Sequence, residues 1–235
     1  MSAASSWMLA LDASTPRCTL ALWRGDEAPL GDVEDDGANQ ASARLHGRIA
    51  ALCERAGIRA AELGVVACGR GPGTFTGTRV AIATAKGLAL AVRARIVPVS
   101  TLAAVAASLD DAVPCVLAVL DARRGEVYGA RFDAALAPIG AERIATMAAL
   151  TGEAPRPDRV IGPGVAPYDD AIDAAIARTM IPGPSAEGLW RAARVALARG
   201  EVIEPAALDA VYLRESYAEL GVNTPRRPTF KSPFV

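Results

Sequence analysis

Two stretches of the sequence follow one pattern: residues 8–29 read MLALDASTPRCTLALWRGDEAP, and residues 115–138 read CVLAVLDARRGEVYGARFDAALAP. Each has an apolar strand that ends in Asp-Ala, then a polar turn, a second strand and a turn that ends in Ala-Pro. Asp12 and Asp121 occupy the same place in the two stretches. Either chance produces this loose match, or the chain contains an internal duplication built on one strand–strand plan.

The remaining sequence alternates between predicted strands and helices. Apolar residues at helical spacing predict a helix over 41–56, which Gly57 ends. Ser100 and Ser185 precede two further helices as N-caps, and Gly200 ends the second of these. We also predict strands over 63–68 and 96–99, a helix over 77–93, and a strand, glycine turn and helix within 159–176.

A glycine-rich segment, GRGPGTFTGTR at residues 69–79, stands before the helix at 77–93. The segment fails the P-loop spacing by one residue and lacks its Lys-Ser/Thr pair, and it also lacks the third glycine of the dinucleotide fingerprint. A helix start after a strand can still attract an anion. The alternative is a tight turn in which glycine permits positive φ and Thr76 caps the helix.

The helix at 77–93 is apolar on about two-thirds of its circumference, so it must pack against other elements on two sides. One face carries Ala81, Ala85, Leu88 and Val92, and a second face carries Val80, Ala83, Gly87 and Leu90. The third strip, with Ile82, Lys86, Ala89 and Arg93, holds the charge. Strands of the same lobe can cover one side, whereas the other needs the helix at 41–56 or a second protein.

The composition excludes several classes of protein. The 25 basic and 26 acidic residues give a net charge of −1, so we expect no strong autonomous binding of nucleic acid. Four scattered cysteines predict buried free thiols in a reducing compartment. The first residues do not form a signal peptide, and the longest apolar run is too short to span a membrane. We therefore expect a cytoplasmic protein that does not contact a membrane.

Six motifs occur in an order that resembles the TsaB (YeaZ) family. They are LALDAST, GRGPGTFTGTRVAIATAKGLALA, PVSTLAA, LDARRGEVYGARF, PSAEGLWRAA and VYLRES. The resemblance implies the α/β, actin-like and Hsp70-like ATPase (ASKHA) fold, with two duplicated lobes that each hold a mixed sheet flanked by helices. With it we expect an N-terminal lobe at 1–109, a C-terminal lobe at 110–216, and a flexible, basic, proline-rich tail at 217–235.

The resemblance also implies a function in making threonylcarbamoyladenosine in tRNA. We expect a non-catalytic scaffold that forms a heterodimer with a TsaD-like catalytic subunit and activates it, joined by a TsaE-like ATPase. Alone, the chain is expected to form a homodimer. It is expected to contact tRNA only indirectly, through the complex. The alternative is an ATP-dependent small-molecule kinase of the same fold. A protease-like hydrolase is a third reading, which a chain with His46 as its sole histidine does not support.

In the resembling proteins, the helices at 41–56 and 77–93 form the interface with the partner. The residues expected there are Leu45, Ile49, Thr76, Val80, Ala81, Ala83, Ala85, Gly87 and Leu88. We expect a charged substitution at Ala81 or Ala85 to abolish partner binding while the lobe stays folded. Internal packing of these helices is the alternative.

The nucleotide site of the fold is expected to be degenerate, with Asp12, Ser14 and Asp121 as its remnants. Ala13 stands where the fold usually has glycine, and the adenosine turn is reduced to the Gly-Pro-Gly at 162–164. One histidine cannot supply a metal site, and Ser100 and Ser185 are predicted caps rather than nucleophiles. We expect no catalytic residue, no metal and no cofactor.

Overall fold

The computed structural model describes residues 6–34 and 41–214, which form two five-stranded sheets and the helices around them. The first sheet contains β1 (Trp7–Asp12), β2 (Cys18–Arg24), β3 (Leu30–Glu34), β4 (Leu63–Gly69) and β5 (Arg95–Val99). The second contains β6 (Val116–Arg123), β7 (Glu126–Phe132), β8 (Pro138–Ala145), β9 (Arg159–Ile161) and β10 (Ala177–Thr179).

The two sheets share one topology. The first has the order β3-β2-β1-β4-β5, and the second has the matching order β8-β7-β6-β9-β10. In each, the first three strands form an antiparallel meander and the last two run parallel to the first strand. An identical order in both halves confirms the internal duplication and makes a chance match untenable.

Within the described residues, five α-helices cover the sheets: α1 (Ala41–Arg55), α2 (Phe75–Val92), α3 (Thr101–Ala106), α4 (Met147–Gly152) and α5 (Ala186–Ala198). Side chains alternate along the strands, so each sheet has two apolar faces. Leu9 and Leu11 of β1 pack towards α1 and α2, whereas Met8 and Ala10 pack towards α5. Helix α3 packs on the second sheet, whose other face is covered by α4. The result is alternating helical and sheet layers, typical of the actin-like ATPase fold.

The chain after β10 returns to the first sheet. Helix α5 packs against β2 and β5, and Ile203 forms an isolated antiparallel bridge with Ile96 on the edge of the first sheet. Leu208 is fully buried in the core shared with α1 and α2. The division of the chain at 109/110 stays a prediction, because the first lobe also takes in residues from the second half of the sequence. The expected tail at 217–235 lies outside the described residues.

Local structure confirms several predictions and corrects others. Ser100 and Ser185 both accept a hydrogen bond from the backbone N–H three residues later, as N-caps do. The four cysteines are free and buried. In place of the full helix expected after β9, residues Ala166–Ala171 form a short 3₁₀ helix. No helix among the described residues combines the length and the apolar character needed to cross a membrane.

Candidate functional site

The turns that follow β1 and β6 face one another across a cleft between the lobes. A cavity of about 270 Å³ lies there, lined by Ser14 and Thr15 from the first turn and by Asp121 and Arg123 from the second. The duplicated fold therefore brings Ser14 and Asp121, two of the three predicted nucleotide-site remnants, to one cavity. The third remnant, Asp12, does not line it.

Asp12 is completely buried and uses both carboxylate oxygens within the chain. The Ser14 backbone N–H donates to Oδ1, and the Thr101 hydroxyl donates to Oδ2, each at 2.7 Å. Burial raises the pKa of Asp12 above its ordinary value, and these hydrogen bonds oppose the rise. A side chain on Gly69 would place its Cβ 2.0 Å from Oδ2, so glycine is needed there. Asp12 thus joins the β1–β2 turn, β4 and the start of α3.

Asp121 repeats the local bond of Asp12, which confirms that the two residues are equivalent. The backbone N–H of Arg123 donates to its Oδ1 at 2.7 Å, again from two residues along the chain. The Tyr168 hydroxyl donates to the same oxygen at 3.0 Å, and the Arg123 guanidinium lies 3.4 Å from Oδ2. The carboxylate therefore has cationic and hydroxyl partners from its own lobe.

The Gly-Pro-Gly turn at 162–164 is packed against the second sheet on the side where its glycines would carry a side chain. A Cβ on Gly162 would lie 2.2 Å from the Val119 carbonyl oxygen, and one on Gly164 would lie 3.0 Å from the Leu120 carbonyl carbon. Gly162 also has a φ of +127°, which disfavours any side chain. Within the described ranges, no cluster of three or more His, Cys, Asp or Glu residues is arranged to hold a metal ion.

The glycine-rich segment is a close-packed turn. Thr74, rather than Thr76, is the N-cap position of α2, and its backbone N–H donates to the Ser14 carbonyl at 2.7 Å. The prediction that Thr76 caps the helix is therefore wrong, because α2 begins at Phe75 and Thr76 lies in its first turn. A Cβ on Gly77 would lie 1.8 Å from the Ala13 carbonyl oxygen. This glycine lets the helix start press against the β1–β2 turn.

Helix α2 packs against the first sheet with some of the residues that were predicted to form the docking face. Ala81 and Ala85 are fully buried in the core, as is Leu45 of α1, so these three residues present no surface to a partner. Our expectation that charge at Ala81 or Ala85 would spare the fold is therefore wrong. Ile82 and Ala89, which the sequence places on the charged strip, are buried as well. The sheet and the neighbouring elements cover more of the circumference of α2 than the positions of its charged residues indicate.

Ile49 of α1, also predicted at the interface, is buried in the core at 5% exposure, whereas the remaining predicted interface residues lie at the surface. Thr76, Ala83 and Gly87 are exposed, Val80 and Leu88 are half-buried, and Leu90 keeps 69% of its surface. The space beside Gly87 is open, since a Cβ there would meet nothing within 4 Å, and the same holds for Gly47 of α1. Small residues with free space above them let another helix backbone approach closely.

A groove of about 550 Å³ separates α1 from α2. Ile49 and Cys53 line the groove from α1, and Thr84 and Leu88 line it from α2. His46, the sole histidine, stands at its rim. Together with the exposed residues of α2, the groove forms an apolar, small-residue surface that we name the α1–α2 face.

Sequence reasoning missed two features of this region. Thr101 is buried and donates a hydrogen bond to Asp12, whereas the sequence pattern places it only in a short helix. Phe75 and Tyr212 lie in contact at the start of α2, with ring centroids 5.7 Å apart. No local pattern could pair two residues so far apart in the chain.

These features define the class of protein. It is a two-lobed chain of the actin-like ATPase fold, and the carboxylates at the turns after β1 and β6 accept hydrogen bonds from the chain itself. The family model described as TsaD, tRNA N6-adenosine threonylcarbamoyltransferase, matches residues 36–166. The chain superposes on two solved Pseudomonas aeruginosa proteins, YeaZ (TM-score 0.78, 30% identity) and a protein described as similar to the peptidase YeaZ (TM-score 0.79, 32% identity). These alignments cover 88% and 89% of this chain and all of each neighbour.

A curated relative supports the same assignment. The tRNA threonylcarbamoyladenosine biosynthesis protein TsaB of Escherichia coli is 34% identical over 127 residues, 53% of this chain and 54% of that protein. The match thus spans about half the length of the curated relative. The chain belongs to the TsaB (YeaZ) family, and the resemblance given by its six motifs is confirmed.

Proposed function

We propose that this chain is a non-catalytic subunit for the biosynthesis of threonylcarbamoyladenosine in tRNA, and that it binds and activates a TsaD-like catalytic subunit. The α1–α2 face is the observation that carries the proposal, because exposed apolar and small side chains there flank an open groove. The name of the Escherichia coli relative supports the pathway, and the TsaD family match supports the kind of partner.

The interlobe cleft supports a role without catalysis. Both oxygens of Asp12 accept hydrogen bonds from the chain, and Asp121 is bonded to Arg123 and Tyr168. The glycine turn that would face an adenosine is packed against β6. In this proposal, activation arises because the α1–α2 face binds one conformation of the catalytic subunit better than another. A TsaE-like ATPase joins the heterodimer, and tRNA binds to the assembled complex. A second copy of the chain occupies the α1–α2 face when the catalytic subunit is absent.

The test uses Ala83→Glu, which puts a carboxylate at an exposed position in the middle of the α1–α2 face. Burial of an unpaired charge in the complex should weaken binding of the TsaD-like subunit at least about thirtyfold, while the free chain keeps its melting temperature. Affinity is measured by calorimetry with the purified catalytic subunit.

The matched control is Ala149→Glu, which makes the same change at an exposed position of α4 on the second lobe. It should bind the catalytic subunit like the parent chain. Equal affinity of the Ala83→Glu variant and the parent would reject the proposed interface.

A further inference from the structure

Three side chains form a cluster at the first turn of α2, where the described chain also ends. The guanidinium carbon of Arg79 lies 3.7 Å from the centre of the Phe75 ring and 5.9 Å from that of Tyr212. Its Nε donates a hydrogen bond to the Tyr212 hydroxyl at 2.9 Å. We name Phe75, Arg79 and Tyr212 the aromatic–arginine cluster.

Folding does not bury this cluster. Phe75 keeps 51% of its surface and Tyr212 keeps 48%, and they are the aromatic members among the large apolar side chains that stay exposed in the described ranges. Exposed ring faces beside a guanidinium stack well on planar groups, and nucleobases are the common biological example. The cluster therefore has the chemistry of a platform for unpaired bases.

Charge at the cluster favours a polyanion. Across residues 6–34 and 41–214, Arg79 is bonded to a hydroxyl and to ring faces, and no carboxylate forms an ion pair with it. Positive charge interleaved with aromatic rings suits single-stranded nucleic acid, whereas an acidic peptide would use the charge alone.

The cluster is separate from the groove of the α1–α2 face. Thr84 lies nine positions after Phe75 in α2, which is about 14 Å along the helix axis. A ligand on the cluster therefore leaves the groove itself open.

We propose that the aromatic–arginine cluster is a contact site for single-stranded RNA, and that it stacks on unpaired bases of the tRNA that the complex modifies. The choice of tRNA rests on the proposed function, whereas the choice of unpaired RNA rests on the rings and the guanidinium. Because the whole chain has a net charge of −1, the contact is weak by itself and declines with added salt. It adds to the binding that the catalytic subunit supplies.

The test uses the full chain and the anticodon stem–loop of a tRNA that reads codons beginning with A, labelled with 4-thiouridine in the loop. Ultraviolet crosslinking yield is followed against protein concentration. Phe75→Ala and Tyr212→Ala should each weaken the contact roughly tenfold. Tyr212→Phe, which keeps the ring, should bind like the parent. Met180→Ala, which trims another exposed apolar side chain outside the cluster, should also leave the contact unchanged.

Two results would overturn the inference. One is a crosslinking yield that is absent in the parent, or that is the same in the parent and both alanine variants. The other is a loss of binding to the catalytic subunit in those variants with RNA crosslinking preserved, since this would assign the cluster to the protein partner. Ala83 lies one helical turn from Arg79, so RNA crosslinking is also measured for the Ala83→Glu variant. Weakened binding of the catalytic subunit by Ala83→Glu with no effect of the alanine variants on RNA crosslinking would reject this inference alone, and the reverse pattern would reject the proposed interface alone.

Discussion

At the scale of single residues, Asp12 is hydrogen-bonded within the fold, and our proposal assigns it a structural role. The carboxylate is buried between the β1–β2 turn and α3, and each oxygen accepts a bond from the chain. Its equivalent in the second lobe, Asp121, keeps part of its surface and pairs with Arg123. The two copies of one turn have thus diverged in burial while they keep the same backbone bond.

Replacement of Asp12 by asparagine should stabilise the protein at neutral pH. Burial raises the pKa of Asp12, so the folded protein binds this proton more tightly than the unfolded chain does. The free energy of unfolding therefore falls as the pH rises above the ordinary value of 3.8 and levels off above the raised pKa. Asp12→Asn keeps an acceptor for Ser14 N–H without the charge, so its melting temperature at pH 7 should exceed the parent's by a few degrees.

The comparison is made by thermal unfolding from pH 3 to pH 8. The two proteins should converge in stability towards pH 3, where the parent carboxyl is protonated. A variant that is less stable than the parent at pH 7 would show that the charged form of Asp12 is the one the fold prefers.

At the scale of elements, α2 joins the lobe core to the α1–α2 face, and its glycines have opposite roles. Gly77 lies against the Ala13 carbonyl, with no space for a side chain, whereas Gly87 stands beside open space. The first glycine is required by a close approach of two backbones. The second lowers helix propensity and leaves a partner free to approach.

Alanine at these two positions should change stability in opposite directions. Gly77→Ala forces a shift of the β1–β2 turn and should lower the free energy of unfolding by about 3 kcal/mol or more. Gly87→Ala should raise it by roughly 0.5–1 kcal/mol, because alanine is the better helix former and meets no neighbour. Urea denaturation of both variants measures the two effects. A stable Gly77→Ala variant would contradict the packing described at the start of α2.

The elements show which parts of this fold can be predicted from sequence. Strands β1, β2, β6 and β7 were predicted because apolar runs and turn residues are local signals. The buried strip of α2 was not, because alanines give little contrast in hydrophobicity and the sheet on one side selects which of them are covered. The cap of α2 was misplaced for a related reason: the position of the helix start depends on contact with Ala13 and Ser14, which are distant in sequence.

At the scale of the whole molecule, two regions compete for the role of functional site. The interlobe cleft retains a cavity that Asp121 lines and Asp12 does not, and both carboxylates are hydrogen-bonded within their own lobes. The α1–α2 face lies on the outer side of the first sheet and has apolar residues that the described part of the chain leaves uncovered. Our account assigns function to the outer face and a structural role to the cleft.

Hydrogen–deuterium exchange of the full chain distinguishes these regions most directly. Addition of the TsaD-like subunit should slow exchange of amides in α1 and α2, with little change at the β1–β2 and β6–β7 turns. Addition of ATP and magnesium to the chain alone should leave exchange unchanged throughout. Protection of the two turns by ATP, with no protection of α1 and α2 by the catalytic subunit, would contradict the account.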